Sequence, residues 1–141
     1  MKQKEFKNAE EALEKFGECA SIRATALNQG VSRVANKMID EERRCVLYLY
    51  EHHQIERLLP CLKNENPGIR MDAASILLPY FEQELMNKVR SKECVDTLFE
   101  IAKDKDNCYG FVGIIAEITL DQWKKGMLSL LWKDNVVKTT V

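Results

Sequence analysis

The sequence has no long apolar run, no strong charge excess and no closely spaced cysteine pair. Its 141 residues include 21 basic and 22 acidic side chains, for a formal net charge of −1. Proteins that bind nucleic acid are usually basic, because phosphate neutralisation supplies most of their affinity. The longest apolar runs, at Cys45 and Phe111, are far shorter than the roughly 20 residues of a membrane span. We therefore expect neither a nucleic-acid nor a membrane partner, and no signal peptide at the charged N-terminus.

The five cysteines are few, odd in number and far apart, and they are Cys19, Cys45, Cys61, Cys94 and Cys108. Disulfide frameworks and zinc sites use closer and paired spacings. Free cysteines in apolar helical surroundings behave as small core residues, and they stay reduced in the cytosol. The pattern predicts buried free thiols, no metal ion and a cytoplasmic location.

Catalytic signatures are also missing. The two histidines, His52 and His53, are adjacent, so on a helix they point about 100° apart and cannot share one ligand position. No serine has the setting of a nucleophile elbow, and no glycine-rich loop could cradle a phosphate. A triad assembled through space stays open, but we expect a protein that is no enzyme and needs no cofactor.

The clearest positive signal is a helix start at residues 64–80. Asn66 is a good N-cap, and Pro67 follows at the first helical position, where its missing N–H costs nothing. An apolar stripe then continues at spacings of four, three and four residues, through Ile69, Ala73, Ile76 and Tyr80. The small side chains of Ala73 and Ala74 permit a close neighbouring helix. Together with residues 54–63, this segment has the length and turn of one HEAT repeat.

Helical periodicity also covers most of the remaining chain. It predicts further helices at about 8–27, 32–51, 54–63, 83–89, 92–103 and 109–117. Ser32 and Ser91 are the expected caps, Pro60 is expected to kink or split its helix, and Thr119 with Gln122 reads as a capping box that opens a last helix. No strand pair is evident. We predict an all-α, compact HEAT-like stack of antiparallel helices, with one domain at 1–132 and a frayed tail at 133–141.

Two motifs resemble a family of short bacterial HEAT-like proteins of unknown function. The first spans 66–80, and the second spans 110–126, where Gly110-Phe111, Ala116 to Leu120 and Asp121 to Gly126 follow the family's pattern. The segments 81–91 and 112–115 depart from it by added length, and either could build a surface feature peculiar to this chain. Members of the family look like companions of polymorphic or contact-dependent toxins. The resemblance therefore implies an immunity protein whose partner is a cognate toxin domain.

Charged residues on the second to fourth predicted helices are the candidate contacts for such a partner. They are Asp40, Glu41, Glu42, Glu51, Glu56, Arg70 and Asp72. If the toxin is a nuclease, its cleft is basic, and an acidic surface would cover it and speed encounter. The alternative for the acids is a solvated face balanced by nearby arginines. Arg70 and Asp72 could instead form a structural ion pair, and Trp123 could be either an interface anchor or a core residue.

The sequence thus leaves two main functional hypotheses. The first is an immunity protein that neutralises one cytoplasmic toxin by protein–protein interaction. The second is a HEAT-like protein that binds nucleic acid, or a general cytosolic scaffold. Nucleic-acid binding would require a basic concave surface with aromatic residues, which the balanced charge disfavours. A scaffold would differ from an immunity protein because it would not protect against a single toxin.

Overall fold

The computed structural model describes residues 6–104 and 111–128, and every regular element in those ranges is helical. In chain order these elements are α1 (Ala9–Gln29), α2 (Ser32–Glu51), a 3-10 helix (Ile55–Lys63), α3 (Pro67–Pro79), a π-helical turn (Tyr80–Glu84), α4 (Lys88–Lys103) and α5 (Phe111–Lys124). The all-α prediction is confirmed. Cys108, Gly110 and the predicted tail at 133–141 lie outside the described residues.

The boundaries of α1 follow local chemistry. The side chain of Asn8 accepts a hydrogen bond from the Glu11 backbone N–H at 2.9 Å, which caps the first turn. Gly30 ends the helix with φ of 74°, a left-handed conformation that glycine adopts at little cost. The predicted cap of α2 is wrong by one residue. Val31 holds the N-cap position without a side-chain hydrogen bond, and Ser32 is already helical.

Pro60 changes the winding of its helix along the whole length. The structure has a continuous 3-10 helix at Ile55–Lys63, where the sequence predicts a kink or a split at the proline. Bonds of the i→i+3 type close its last turn, as from the Asn64 N–H to the Cys61 carbonyl at 3.2 Å. Leu58 and Leu62 still reach the core, so tighter winding preserves the buried face.

Helix α3 is the centre of the fold. Asn66 caps it as predicted, accepting from the N–H groups of Gly68 at 2.8 Å and Ile69 at 3.4 Å. The helix contacts α1, the 3-10 helix, α4 and α5. Its buried residues lie on all sides, and they are Pro67, Gly68, Met71, Asp72, Ala73, Ala74, Ile76, Leu77, Leu78 and Pro79. A helix that is apolar almost all round belongs in the interior of a domain.

The region after α3 differs most from the sequence prediction. No separate helix forms at 83–89: the π-helical turn ends at Glu84, Met86 has φ of 49°, and Asn87 caps α4 by accepting from the Arg90 N–H at 3.1 Å. Ser91, the predicted cap, is a buried residue inside α4. The N-cap is Asn87 rather than Ser91, because the chain must leave the π-helical turn before a new helix can begin.

The predicted capping box is also wrong. Thr119 lies within α5, which runs without a break from Phe111 to Lys124. Its hydroxyl donates to the Ile115 carbonyl one turn earlier, at 2.9 Å. A threonine hydroxyl can bond its own helix in this way as readily as it caps a new one. The apolar run from Val112 to Leu120 therefore forms one helix packed on α4.

Gly68 lies where α3 packs closely against α1. A Cβ atom added there would lie 2.4 Å from the Ala24 Cβ atom and 3.2 Å from the Ala20 carbonyl oxygen. We expect Gly68→Ala to lower the free energy of unfolding by about 1–3 kcal/mol, because the backbones of the two helices must separate. Urea unfolding followed by circular dichroism measures this change.

Gly17→Ala is the matched control. Gly17 lies inside α1, and nothing lies within 4 Å of an added Cβ atom. There alanine should raise the free energy of unfolding by about 0.5–1 kcal/mol, through helix propensity alone. Equal effects of the two substitutions would contradict the packing of α3 on α1.

Candidate functional site

The predicted contact residues separate into four environments. Asp40 and Glu41 lie on the outer side of α2, where they form ion pairs with Arg43 at 3.4 Å and Arg44 at 3.0 Å. Each pair is one helical turn apart and partly or largely exposed, so it adds little stability. These carboxylates are thus balanced locally, as the alternative interpretation of a solvated face requires.

A groove between α1 and α2 runs beside this pair. Its volume is about 570 Å³, and carboxylates and cations alternate along its walls. The acids are Glu11, Glu14, Glu18 and Glu41, and the basic groups are Lys15, Lys37 and Arg44. The Arg44 guanidinium lies 4.6 Å from the centre of the Phe6 ring. Mixed charge of this kind gives the groove little preference for a partner of either sign.

Glu42 and Asp72 do not belong to any surface. Glu42 is 0% exposed, and Asp72 is 4% exposed and paired with Arg23 of α1. Both were predicted as contact residues, but in this conformation their side chains are buried and do not lie on the surface. For Asp72, the structure selects the alternative of a structural ion pair, although the cation is Arg23 rather than Arg70.

Arg70 instead braces the turn before α3. One guanidinium nitrogen donates to the backbone carbonyls of Asn64 at 2.8 Å and Glu65 at 3.3 Å. The side chain is half-buried by this arrangement. Its hydrogen bonds hold the cap of α3 in place, which is a structural task.

Of the remaining predicted acids, Glu56 lies near the π-helical turn, and we call this turn and its aromatic partners the acidic–aromatic patch. It consists of Tyr50, Tyr80, Glu82, Glu84 and Trp123, with Glu56 beside it. The patch is built on the π-helical turn. There the Leu85 N–H donates to the Tyr80 carbonyl at 3.3 Å, five residues back. Such turns are rare, and they are frequent at functional sites.

The π-helical turn separates its side chains by polarity. Phe81 is 0% exposed within the core, whereas Glu82, Gln83 and Glu84 are exposed. Gln83 also donates to the Leu128 carbonyl at 2.9 Å, which ties the turn to the chain after α5. The carboxylates of Glu82 and Glu84 therefore lie on a segment that Phe81 joins to the core and Gln83 joins to the chain after α5.

Aromatic donors hold both carboxylates. The Trp123 indole N–H donates to Glu82, with 2.9 Å to each carboxylate oxygen. The Tyr50 hydroxyl donates to Glu84, with 3.2 Å to each oxygen. Trp123 packs its apolar body against the core while its polar edge reaches the surface. Packing against the core is thus shown for Trp123, whereas its role as an interface anchor stays a prediction.

Tyr80 reports the electrostatics of the patch. Burial raises the pKa of its hydroxyl above the ordinary value, and the negative charges of Glu56 and Glu84 raise the pKa further. The Tyr80 ring also meets the Tyr50 ring edge-on, with 6.3 Å between centroids. Glu56, a predicted contact residue, thus lies in the field of the patch. Glu51 is exposed at the C-terminal end of α2, next to Tyr50 in sequence.

Four cysteines and one histidine have defined surroundings in the part of the chain that the structure describes. Burial raises the pKa of Cys45 and Cys94 to about 12, so both remain protonated thiols at neutral pH. Burial also raises the thiol pKa of Cys19 and Cys61. The His52 ring stacks on Tyr48 at 4.0 Å between centroids. Within residues 6–104 and 111–128, no three His, Cys, Asp or Glu side chains cluster to hold a metal ion.

Comparison with protein families, curated proteins and solved structures finds no match for this chain. In the part of the chain that the structure describes, none of the helices combines the length and apolar character needed to cross a membrane.

Sequence reasoning missed Glu82 and Glu84 as individual residues. The sequence offers one signal, because the added length expected at 81–91 marks a place where a surface feature could form. The partners Tyr50 and Tyr80 lie 30 residues apart, so no spacing rule connects them. Only the tertiary structure brings their rings together, with 6.3 Å between centroids.

The phenol of Tyr80 offers a direct test of the patch. Glu56→Gln and Glu84→Gln each remove a negative charge that raises the Tyr80 pKa, so each should lower that pKa. The shift should be partial, because burial is the larger cause. Phenolate absorbance during an alkaline titration, assigned with Tyr80→Phe, measures it. Glu100→Gln, on the exposed side of α4, should leave the Tyr80 titration unchanged.

Proposed function

We propose that this chain is an immunity-type protein that binds and neutralises one cognate toxin domain in the bacterial cytoplasm. The acidic–aromatic patch carries the proposal. Its carboxylates are exposed on one side and held by an indole and a phenol on the other. Binding requires no cofactor in this scheme, because the chemistry consists of surface recognition alone.

Preorganisation is the physical reason for choosing this surface. Long acidic side chains usually lose rotamer freedom when a partner binds, at a cost of about 0.5–1.5 kcal/mol for each immobilised side chain. Glu82 and Glu84 are already restrained by Trp123 and Tyr50. Tryptophan and tyrosine also dominate the energetics of many interfaces. The patch therefore offers charged and aromatic side chains that are already partly ordered before a partner binds.

The charge of the patch indicates the chemistry of the partner. Glu56 and Glu84 both raise the pKa of Tyr80, so the field at its hydroxyl is negative although the whole chain is nearly neutral. A toxin that cleaves nucleic acid has a basic cleft, and opposite charges speed encounter. A nuclease domain is thus the partner that this surface fits best. The groove between α1 and α2 fits less well, because cations there neutralise most of its acids.

A HEAT-like stack of antiparallel helices is the scaffold we propose for this surface. The contacts between successive elements support it: the 3-10 helix packs on α3, α3 on α4, and α4 on α5. In such a stack each helix is held mainly by its neighbours in the chain. An immunity protein benefits from such contacts between chain neighbours, because it must fold quickly and keep one stable surface.

The experiment is binding and protection with the toxin domain encoded beside this gene. We expect the wild-type chain to bind it and to rescue growth of cells that express it. Glu82→Gln combined with Glu84→Gln should lower the association rate at least about tenfold at low salt, because electrostatic steering weakens. Trp123→Phe should speed dissociation, because Glu82 loses its indole donor. Surface plasmon resonance separates the two rates.

Glu93→Gln combined with Glu100→Gln is the matched control. These two substitutions remove the same number of negative charges as the patch variant, but from α4, outside the patch. Protection that survives the patch variant unchanged would reject the patch as the toxin-binding surface. Absence of binding to any neighbouring toxin domain would reject the function. Salt-sensitive binding to DNA or RNA in a gel shift would instead support the nucleic-acid alternative.

A further inference from the structure

Three charged side chains meet inside the protein where α1, α2 and α3 pack together. Glu42 comes from α2 and is 0% exposed, Asp72 comes from α3 and is 4% exposed, and Arg23 comes from α1 with 15% of its side chain exposed. The cluster joins residues up to 49 positions apart in the sequence. Glutamate and aspartate are almost never fully buried unless they are paired.

The charges in this cluster do not balance if both carboxyl groups are ionised. Arg23 pairs with one Asp72 oxygen. Among the described residues, no donor reaches either oxygen of Glu42 or the Oδ2 atom of Asp72. Two carboxylates beside one guanidinium would leave a buried negative charge without compensation, which costs several kcal/mol. A proton placed between the carboxyl groups removes the excess charge and also supplies the missing hydrogen-bond donor.

We propose that Glu42 is a neutral carboxylic acid in the folded protein and that its proton, donated to Asp72 beside Arg23, locks α2 onto α1 and α3. The lock is sensitive to pH, and it loosens as the pH rises. This inference does not rest on the identity of any partner, because every residue that it uses is internal.

The electrostatic surroundings support this arrangement. Burial raises the pKa of Glu42 well above its usual range, and the negative charge of Asp72 adds to the effect. Arg23 of α1 acts in the opposite direction but does not overcome the burial. Cys19, also from α1, has a raised pKa and adds no charge at neutral pH. Burial raises the pKa of Asp72 as well, against the opposing influence of Arg23.

The direction of the pH dependence follows from the proton count. Above the ordinary glutamate pKa near 4.5, the unfolded chain has released the proton of Glu42, whereas the folded chain retains it. The folded state therefore binds more protons, and stability falls as the pH rises. The stabilising contribution is complete below the unfolded pKa, and it is lost progressively up to the raised pKa of Glu42 in the folded protein.

Glu42→Gln is the variant that tests the lock. Glutamine preserves the shape of the side chain and an N–H donor for Asp72, but it does not titrate. As the pH rises above the ordinary glutamate pKa near 4.5 and towards the raised pKa of Glu42 in the folded protein, the unfolding equilibrium constant of the wild type should rise relative to that of the variant, by up to about tenfold per pH unit. Urea unfolding at each pH provides both constants. Glu41→Gln, the neighbouring residue paired with Arg44, should follow the wild-type profile.

Parallel profiles of the wild type and Glu42→Gln would overturn the proposal, because Glu42 would then have the same proton occupancy in both states. A second measurement needs no variant that folds. Isotope-edited infrared spectroscopy of the wild type at neutral pH should show the carbonyl band of one protonated glutamic acid. A spectrum with ionised carboxylates only would equally overturn the proposal.

Discussion

The burial of α3 on all sides is the constraint on which the rest of the structure depends. This helix has no solvent face of its own, so α1, the 3-10 helix, α4 and α5 must each supply an apolar side to it. The approach is closest at Gly68, where even a methyl group would collide with Ala24 of α1. Close packing of this kind leaves little freedom in how the surrounding helices are placed.

The same constraint governs where charge can lie. Because α3 is enclosed, Asp72 on it must be matched inside the protein, and Arg23 of α1 pairs with it there, whereas Glu42 of α2 is a second acid buried in the core. The surface loses two acids that the sequence assigns to it. Where α3 ends at Pro79, the π-helical turn returns the chain to solvent with Glu82 and Glu84. Internal and external acids therefore differ in their roles: the first hold helices together, and the second face outward.

The exterior is the part of the protein that we connect with function. The buried thiols are protonated, and the paired acids of α2 are neutralised by their neighbours. The acidic–aromatic patch combines exposed negative charge, aromatic anchors and a rigid turn. Glu42 and Tyr50 of the patch lie about two turns apart on α2.

Local chemistry in the sequence was sufficient to predict the all-α class, the cap at Asn66 and the stop at Gly30, because each depends on a few adjacent residues. The sequence also placed Glu56 among the contact candidates. Tertiary structure alone decided that Glu42 is internal, since a polar residue in an acidic run looks solvated until a distant helix covers it. It also decided the pairing of Tyr50 with Glu84, because a hydrogen bond between residues far apart in the chain depends on packing and produces no periodic pattern in the sequence.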